Sequence, residues 1–71
     1  MAEYHSGDII QYDYIYDGRI LLLLVLRKHW MADHYWCLVL YDSDYYYMKD
    51  IGKSKIYKTI NYKLVEKENV E

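Results

Sequence analysis

The chain has 71 residues, a formal net charge of −2 and a hydrophobic fraction of 54%. A chain of this length forms one small domain with one core, which leaves no room for a separate catalytic domain. The apolar fraction excludes an intrinsically disordered chain, and the weak net charge by itself indicates neither a nucleic-acid binder nor a membrane-surface protein. We therefore expect a single domain over residues 1–71, with its core over about residues 7–67.

The cysteine content and the apolar runs bear on the compartment. Cys37 is the only cysteine, so no internal disulfide can form and a secreted disulfide scaffold is excluded. The longest apolar run, residues 20–26, is too short for a membrane-spanning helix, which needs roughly 20 residues. The acidic segment before that run is the wrong flank for a signal peptide. These features predict a cytoplasmic type of environment and no membrane.

The first strand is predicted over residues 9–16. A loose start at residues 1–6 and a turn signal at Gly7-Asp8 precede it. Within the strand, residue types alternate at period two, and β-branched and aromatic side chains dominate, which is typical of a half-buried strand. One face carries Ile10, Tyr12, Tyr14 and Tyr16, and the other carries Ile9, Gln11, Asp13 and Ile15.

The second strand is predicted over residues 19–28, directly after Asp17-Gly18. That dipeptide predicts a type I′ hairpin turn, in which both central residues have positive φ. The strand contains the apolar run, and leucine also favours helices. The run nevertheless lacks an N-cap and a polar face at helical spacing, so we predict a strand. A strand that is apolar on both faces belongs in the centre of a barrel or sandwich, or at an oligomer contact.

The rest of the chain predicts three further strands separated by tight turns. They are expected at residues 35–41, 45–49 and 62–67, with one short helical turn near residues 55–60 and with Gly52 as the positive-φ residue of the turn at 50–54. Five short strands in so few residues predict an all-β fold. Closing a small antiparallel sheet into a strongly bent barrel would cover the face that a flat sheet exposes.

The order Gly7-Asp8-Ile9-Ile10, Asp17-Gly18, Leu23-Leu24-Val25-Leu26 and Trp36-Cys37-Leu38-Val39-Leu40-Tyr41 resembles SH3-like barrels of the KOW and Tudor type. The resemblance spans roughly residues 7–66, and it extends to short uncharacterised phage proteins. It implies a five-stranded SH3-like antiparallel barrel in a small phage or viral accessory or virion-associated protein, located in the host cytoplasm or the virion. No functional residue is carried over from these families to this chain.

The tyrosines are the first candidate for a contact surface. The chain has eleven tyrosines and no phenylalanine, and exposed clusters of tyrosine tend to mark contact surfaces. The triplet 45–47 lies in a predicted strand, so alternation would place at least one of its rings outside. The predicted partner-binding residues are Tyr12, Tyr14, Tyr45, Tyr46 and Tyr47. They predict a protein partner or self-association, and the alternative is that the rings lie flat across a small barrel.

A basic segment is the alternative site. Lysines interleaved with aromatic rings are the ingredients of single-stranded nucleic-acid binding. The residues of this alternative are Lys53, Lys55, Lys58, Lys63, Tyr57 and Tyr62. A solvated edge strand that uses lysines to deter aggregation explains the same pattern.

Catalytic and metal-binding patterns have little support in the sequence. There is no nucleophile elbow, no phosphate-binding glycine loop and no His-Glu-x-x-His motif. The spacing of His29, His34 and Cys37 matches no common zinc framework, and Asp42 and Asp44 fit a turn better than a pair of catalytic acids. We predict that the protein is not an enzyme and that it has no cofactor, metal site or catalytic residue.

Overall fold

The computed structural model describes residues 3–67 and shows an all-β fold. Five antiparallel strands form one sheet, and one 3₁₀ helix lies between the third and fourth strands. The elements are β1 (Ile9–Tyr12), β2 (Leu21–Lys28), β3 (His34–Asp42), the 3₁₀ helix (Tyr45–Asp50), β4 (Ser54–Lys58) and β5 (Tyr62–Glu66). Strands over the second, third and last predicted segments are confirmed, with bounds shifted by one or two residues.

The strand order β4-β3-β2-β1-β5 requires the sheet to curl. In a flat five-stranded sheet the two edge strands would lie about 19 Å apart. Residues 59–61 join β4 to β5, and the chain from Lys58 to Tyr62 can span at most about 14 Å. The two edges must therefore approach each other where residues 59–61 join them. β-Bulges, between Leu22 and Leu23 and between Val25 and Arg27, bend β2 and help the sheet to curl.

The concave side of the curled sheet holds the core. Alternate residues of the central strands are fully buried there, among them Leu21, Leu23 and Val25 of β2. Cys37 lies on the same side and is fully buried, whereas its neighbour Trp36 points to the other face of β3. Tyr12, Tyr57 and Tyr62 are half-buried and pack against the edge of this cluster.

The start of the chain departs from the prediction. Of the residues expected to form a loose start, 3–6 lie within the described part, and Tyr4 is 6% exposed and belongs to the core. Its ring meets the Tyr35 ring edge-on at 5.8 Å, and its hydroxyl donates to the Tyr62 carbonyl at 2.8 Å. This segment therefore connects β3 to β5. Partners so distant in sequence leave no local signal that a pattern could reveal.

The first connection is also longer than predicted. β1 ends at Tyr12 rather than at residue 16, and residues 13–20 form a loop containing a turn closed by the Asp17 N–H and the Tyr14 carbonyl at 3.1 Å. Gly18 has φ of 66°, but Asp17 has no positive φ, so the predicted type I′ hairpin is wrong. The Asp13 N–H still donates to the Asn61 carbonyl at 2.7 Å, but residues 14–16 pair with no strand within residues 3–67, so their alternation does not produce one.

The predicted positions of the fourth strand and the helical turn are both wrong. Residues 45–50 form the 3₁₀ helix, and residues 54–58 form β4. The reason lies at Asp44, whose side chain accepts the Tyr46 N–H at 2.9 Å and whose carbonyl accepts the Tyr47 N–H at 2.9 Å. This N-cap outweighs the strand preference of three tyrosines. Gly52 has φ of 86°, which confirms its predicted role in the turn.

Candidate functional site

The loop at residues 13–20 and the 3₁₀ helix lie at the same end of the barrel. The Ile20 N–H donates to Ser43 Oγ at 2.8 Å, and the Ser43 N–H donates to the Ile20 carbonyl at 2.8 Å. The last residues of the loop are thereby fixed beside the residues that begin the helix. Both segments are rich in tyrosine, and each follows a strand that ends at this side of the barrel.

Five tyrosines on these two segments are exposed. Tyr45 is 90% exposed and Tyr16 is 84% exposed, and the others lie between 37% and 65%. We call this set the tyrosine surface: Tyr14, Tyr16, Tyr45, Tyr46 and Tyr47. A 3₁₀ helix has three residues per turn, so three consecutive tyrosines point in three directions rather than to two faces. For that reason all three rings of the triplet reach solvent, where a strand would have turned one inward.

An ion pair between half-buried Arg19 and buried Asp42 lies next to Tyr47 of this surface. Asp42 is fully buried, and Arg19 binds its carboxylate with two hydrogen bonds, one of them from Nε to Oδ1 at 3.0 Å. Burial raises the pKa of the Asp42 carboxyl, but hydrogen bonds from Arg19 and the Asp44 N–H outweigh burial, so its pKa lies below the ordinary value. The Arg19 guanidinium also lies 4.4 Å from the centre of the Tyr47 ring. Arg19 thus ties the helix to the end of β3.

An open depression lies beside the helix. Tyr45, Tyr46, Met48 and Lys49 line about 600 Å³ of space that is continuous with solvent. The Lys49 ammonium is 4.7 Å from the centre of the Tyr46 ring, and the Tyr46 and Tyr47 rings meet edge-on at 4.8 Å. These contacts restrict the rings. The lining of the depression is mostly apolar, and the Lys49 ammonium is its one cation. It suits an apolar side chain of a partner better than a reaction.

The other two predicted contact tyrosines lie as follows. Tyr14 is exposed, whereas Tyr12 is half-buried and packs against the core. The Tyr12 ring lies 6.1 Å from the Tyr14 ring and 5.5 Å from the Tyr62 ring, so it connects the exposed loop to the interior. Tyr16, which the sequence places on the same face of the predicted first strand as Tyr12 and Tyr14, is exposed like Tyr14.

The structure does not bring the residues of the basic alternative together as a stacking platform. Tyr57 and Tyr62 pack against the core, and burial raises the pKa of both phenols. The Lys55 ammonium binds Asp50 at 3.0 Å, and the Lys63 ammonium lies 3.5 Å from Asp13. The remaining two, Lys53 and Lys58, are exposed on and beside β4. The two rings are therefore not available for bases to stack on.

The residues considered for metal binding do not converge. Among residues 3–67, no three His, Cys, Asp or Glu side chains lie where they could hold a metal ion. The His29 and His34 rings are 6.1 Å apart, but Cys37 points into the core, where burial raises the pKa of its thiol to about 12. At that pKa the thiol is a poor nucleophile and a poor ligand at neutral pH.

The convex side of the sheet carries the second apolar face that the sequence of residues 20–26 predicts. The outward faces of antiparallel sheets are commonly polar, but here they carry apolar side chains that pair across strands, such as Leu24 with Leu38 and Trp36 with Ile56. We call this set the outer sheet face: Leu22, Leu24, Trp36, Leu38 and Ile56. The four on β2 and β3 are half-buried and Ile56 is exposed. The absence of polar alternation in residues 20–26 was the signal for it.

No family model, no curated protein and no solved structure matches this chain. Within residues 3–67, no helix has the length and apolarity needed to cross a bilayer.

Proposed function

We propose that the protein is a non-catalytic protein-interaction module that binds its partner through the tyrosine surface. The observation that carries the proposal is the exposure of five tyrosine rings on two segments fixed to each other at one end of the barrel. Tyrosine is enriched at the energetic centres of protein interfaces because its ring contributes a large contact area and its hydroxyl can hydrogen-bond.

The rings are also held in place before any partner arrives. Arg19 stacks on Tyr47, Lys49 stacks on Tyr46, and the two rings pack on each other. A side chain that is already ordered loses less entropy on binding, and this loss otherwise costs about 0.5–1.5 kcal/mol for each flexible side chain. The depression next to these rings provides a place for an apolar side chain of the partner.

Nucleic-acid binding through the basic segment is the competing proposal. It is supported by two exposed lysines, Lys53 and Lys58, but its rings lie against the core and two of its lysines are ion-paired. The phage or viral setting, in a host cytoplasm or a virion, is supported by the resemblance of the strand pattern alone and stays a prediction.

The test replaces two exposed rings and measures binding. The Tyr45→Ser/Tyr46→Ser double variant should retain the melting temperature of the wild type within a few degrees. When the variant and the wild type are used as baits in parallel, the variant should lose partner capture. A loss of about tenfold or more in affinity for the captured partner is expected, since rings at the centre of an interface contribute over 1 kcal/mol each.

The matched control is Trp30→Ser, which removes a ring that is 85% exposed at the opposite end of the β2–β3 hairpin. Equal loss of capture in the Trp30 variant would indicate nonspecific adhesion of exposed rings and would refute the tyrosine surface as the site. The competing proposal is tested by salt-dependent retention on single-stranded DNA. Retention by the wild type that Lys53→Glu/Lys58→Glu abolishes would favour nucleic acid over a protein partner.

A further inference from the structure

We infer that the free edge of β4 is a self-association site, at which two copies of this chain pair their β4 strands antiparallel about a two-fold axis through Ile56. The partner is a second copy, and the contact is main-chain hydrogen bonding of the kind that extends a sheet. This site is separate from the tyrosine surface, and it does not depend on the function proposed for that surface.

The two edges of the sheet differ in how they are covered. On the β5 edge, the Tyr4 hydroxyl donates to the Tyr62 carbonyl, so the N-terminal segment occupies part of that edge. On the other side, β4 packs against β3 and against no other element within residues 3–67. An uncovered edge strand presents a row of unpaired donors and acceptors to another chain.

The hydrogen bonds flanking β4 show which of its residues face outward. The Val39 N–H donates to the Lys53 carbonyl at 2.9 Å, and the Thr59 N–H donates to the Asp33 carbonyl at 2.8 Å. Both contacts join odd-numbered residues to β3 or to the loop before it. Backbone groups alternate sides along a strand, so residues 55 and 57 bond toward β3. Residues 54, 56 and 58 therefore direct their N–H and C=O groups away from the sheet.

An antiparallel pairing centred on Ile56 matches these outward groups with one another. Ile56 lies opposite Ile56 of the second copy, and Ser54 lies opposite Lys58 in both directions. Each of the three residues then exchanges hydrogen bonds with a residue whose groups also point outward. Pairings shifted by one residue would place outward groups opposite groups already bonded to β3.

The charges along β4 permit this register. Lysines on an edge strand normally oppose pairing by repulsion. In the two-fold register, however, Lys55 lies opposite Tyr57 and Lys58 lies opposite Ser54, so no lysine directly faces a lysine. The Lys55 ammonium is also neutralised by Asp50 at 3.0 Å.

The apolar side chains add to the same pairing. Ile56 is 40% exposed and lies beside Trp36 on the outer sheet face. Two copies joined at β4 would align Trp36, Ile56 and their two equivalents in one row across the contact. Cross-strand pairs of aromatic and β-branched side chains stabilise sheets of this kind.

Proline at position 56 tests the inference in the full-length chain. Proline is tolerated on an edge strand where its missing N–H would face solvent. We expect Ile56→Pro to stay folded by circular dichroism and to sediment as a monomer at all concentrations. The wild type should approach twice its 8.8 kDa mass between micromolar and millimolar concentration.

Two further variants serve as controls. Lys55→Pro removes an N–H bonded to β3 and should lower the melting temperature instead. Ile56→Lys is a second variant that keeps the backbone intact and places two like charges on the axis.

A cysteine pair tests the register directly. Residues facing each other in a hydrogen-bonded antiparallel pair have Cα atoms about 5.5 Å apart, which is within the range for a disulfide. In a Cys37→Ser background, Ile56→Cys should form a disulfide-linked dimer under mild oxidation, and Ser54→Cys should do so only when mixed with Lys58→Cys. The inference is overturned if the wild type remains monomeric at millimolar concentration, or if a dimer survives both Ile56→Pro and Ile56→Lys. It is also overturned if Ser54→Cys crosslinks with itself as readily as with Lys58→Cys.

Discussion

Ten of the eleven tyrosines of this chain form an interior set and an exterior set that use the same side chain differently, and Tyr41, exposed on β3, belongs to neither. The interior tyrosines are Tyr4, Tyr12, Tyr35, Tyr57 and Tyr62, and the exterior set is the tyrosine surface. In the interior set, Tyr4 and Tyr35 belong to the core and the other three rings pack against it. Two of the hydroxyls bond to backbone groups: the Tyr4 hydroxyl donates to the Tyr62 carbonyl, and the Tyr35 hydroxyl accepts the Tyr4 N–H. A phenylalanine could not satisfy those groups.

In the exterior set, two of the rings lie against cations. Arg19 and Lys49 each lie within 5 Å of a ring centre on the 3₁₀ helix. The comparison shows that tyrosine in so small a domain serves both as a core residue and as a highly exposed residue, and the proposed function assigns partner contact to the exposed set. It predicts that interior and exterior substitutions will separate cleanly into effects on stability and effects on binding.

The largest expected effect is the loss of an interior ring. Tyr35 is 3% exposed and packs against Tyr4, so Tyr35→Ala should lower the free energy of unfolding by about 3–5 kcal/mol, as for other buried aromatic rings. In a domain of this size that loss is a large part of the total stability. Urea denaturation followed by circular dichroism measures it. A loss below about 1 kcal/mol would show that Tyr35 is not part of a packed core.

The second expected effect concerns the ion pair beside the tyrosine surface. Asp42→Asn removes charged hydrogen bonds to Arg19 and should cost about 1.5–3 kcal/mol at neutral pH. Because the folded pKa of Asp42 is below the ordinary value, its ionised form stabilises the fold above about pH 4, and this contribution is lost as pH falls through the folded pKa. The stability of Asp42→Asn should therefore fall less steeply between neutral and acid pH than that of the wild type.

Urea unfolding repeated across that pH range provides the measurement, with exposed Asp17→Asn as the control. The Asp17 variant should keep the acid sensitivity of the wild type. If Asp42→Asn were to lose stability in acid as steeply as the wild type, the carboxylate would not be held ionised by Arg19. Binding gives a separate result. Loss of partner binding by folded Asp42→Asn at neutral pH would support a role for Arg19 in orienting Tyr47 for contact.

Dense apolar and β-branched residues were sufficient to predict β2 and β3. Sequence patterns were insufficient where one local contact or a distant partner decides. The 3₁₀ helix could not be recognised from its tyrosines, since the Asp44 cap determines it. Tyr4 was missed because its partners lie 31 and 58 residues away.

The same limit applies to the candidate sites. The tyrosine triplet was recognisable from composition, but its exposure on three sides depends on a helix that alternation did not predict. The open edge of β4 depends on the strand order, which places β4 and β5 at opposite edges of the sheet although they are neighbours in the chain. Strand order is a property of long-range pairing, and no pattern within residues 53–63 encodes it.

The smallest expected effect separates the two tyrosine sets by their hydroxyls alone. Tyr4→Phe keeps the ring and removes the hydrogen bond to the Tyr62 carbonyl, which should cost about 0.5–1.5 kcal/mol. Tyr45→Phe changes a ring that is 90% exposed and should leave the free energy of unfolding within about 0.5 kcal/mol of the wild type. Parallel urea titrations compare the two. Equal losses of unfolding free energy would contradict the division into interior and exterior tyrosines. The hydroxyl of solvent-exposed Tyr45 would then stabilise the fold as much as the Tyr4 hydroxyl, which holds the N-terminal segment to β5.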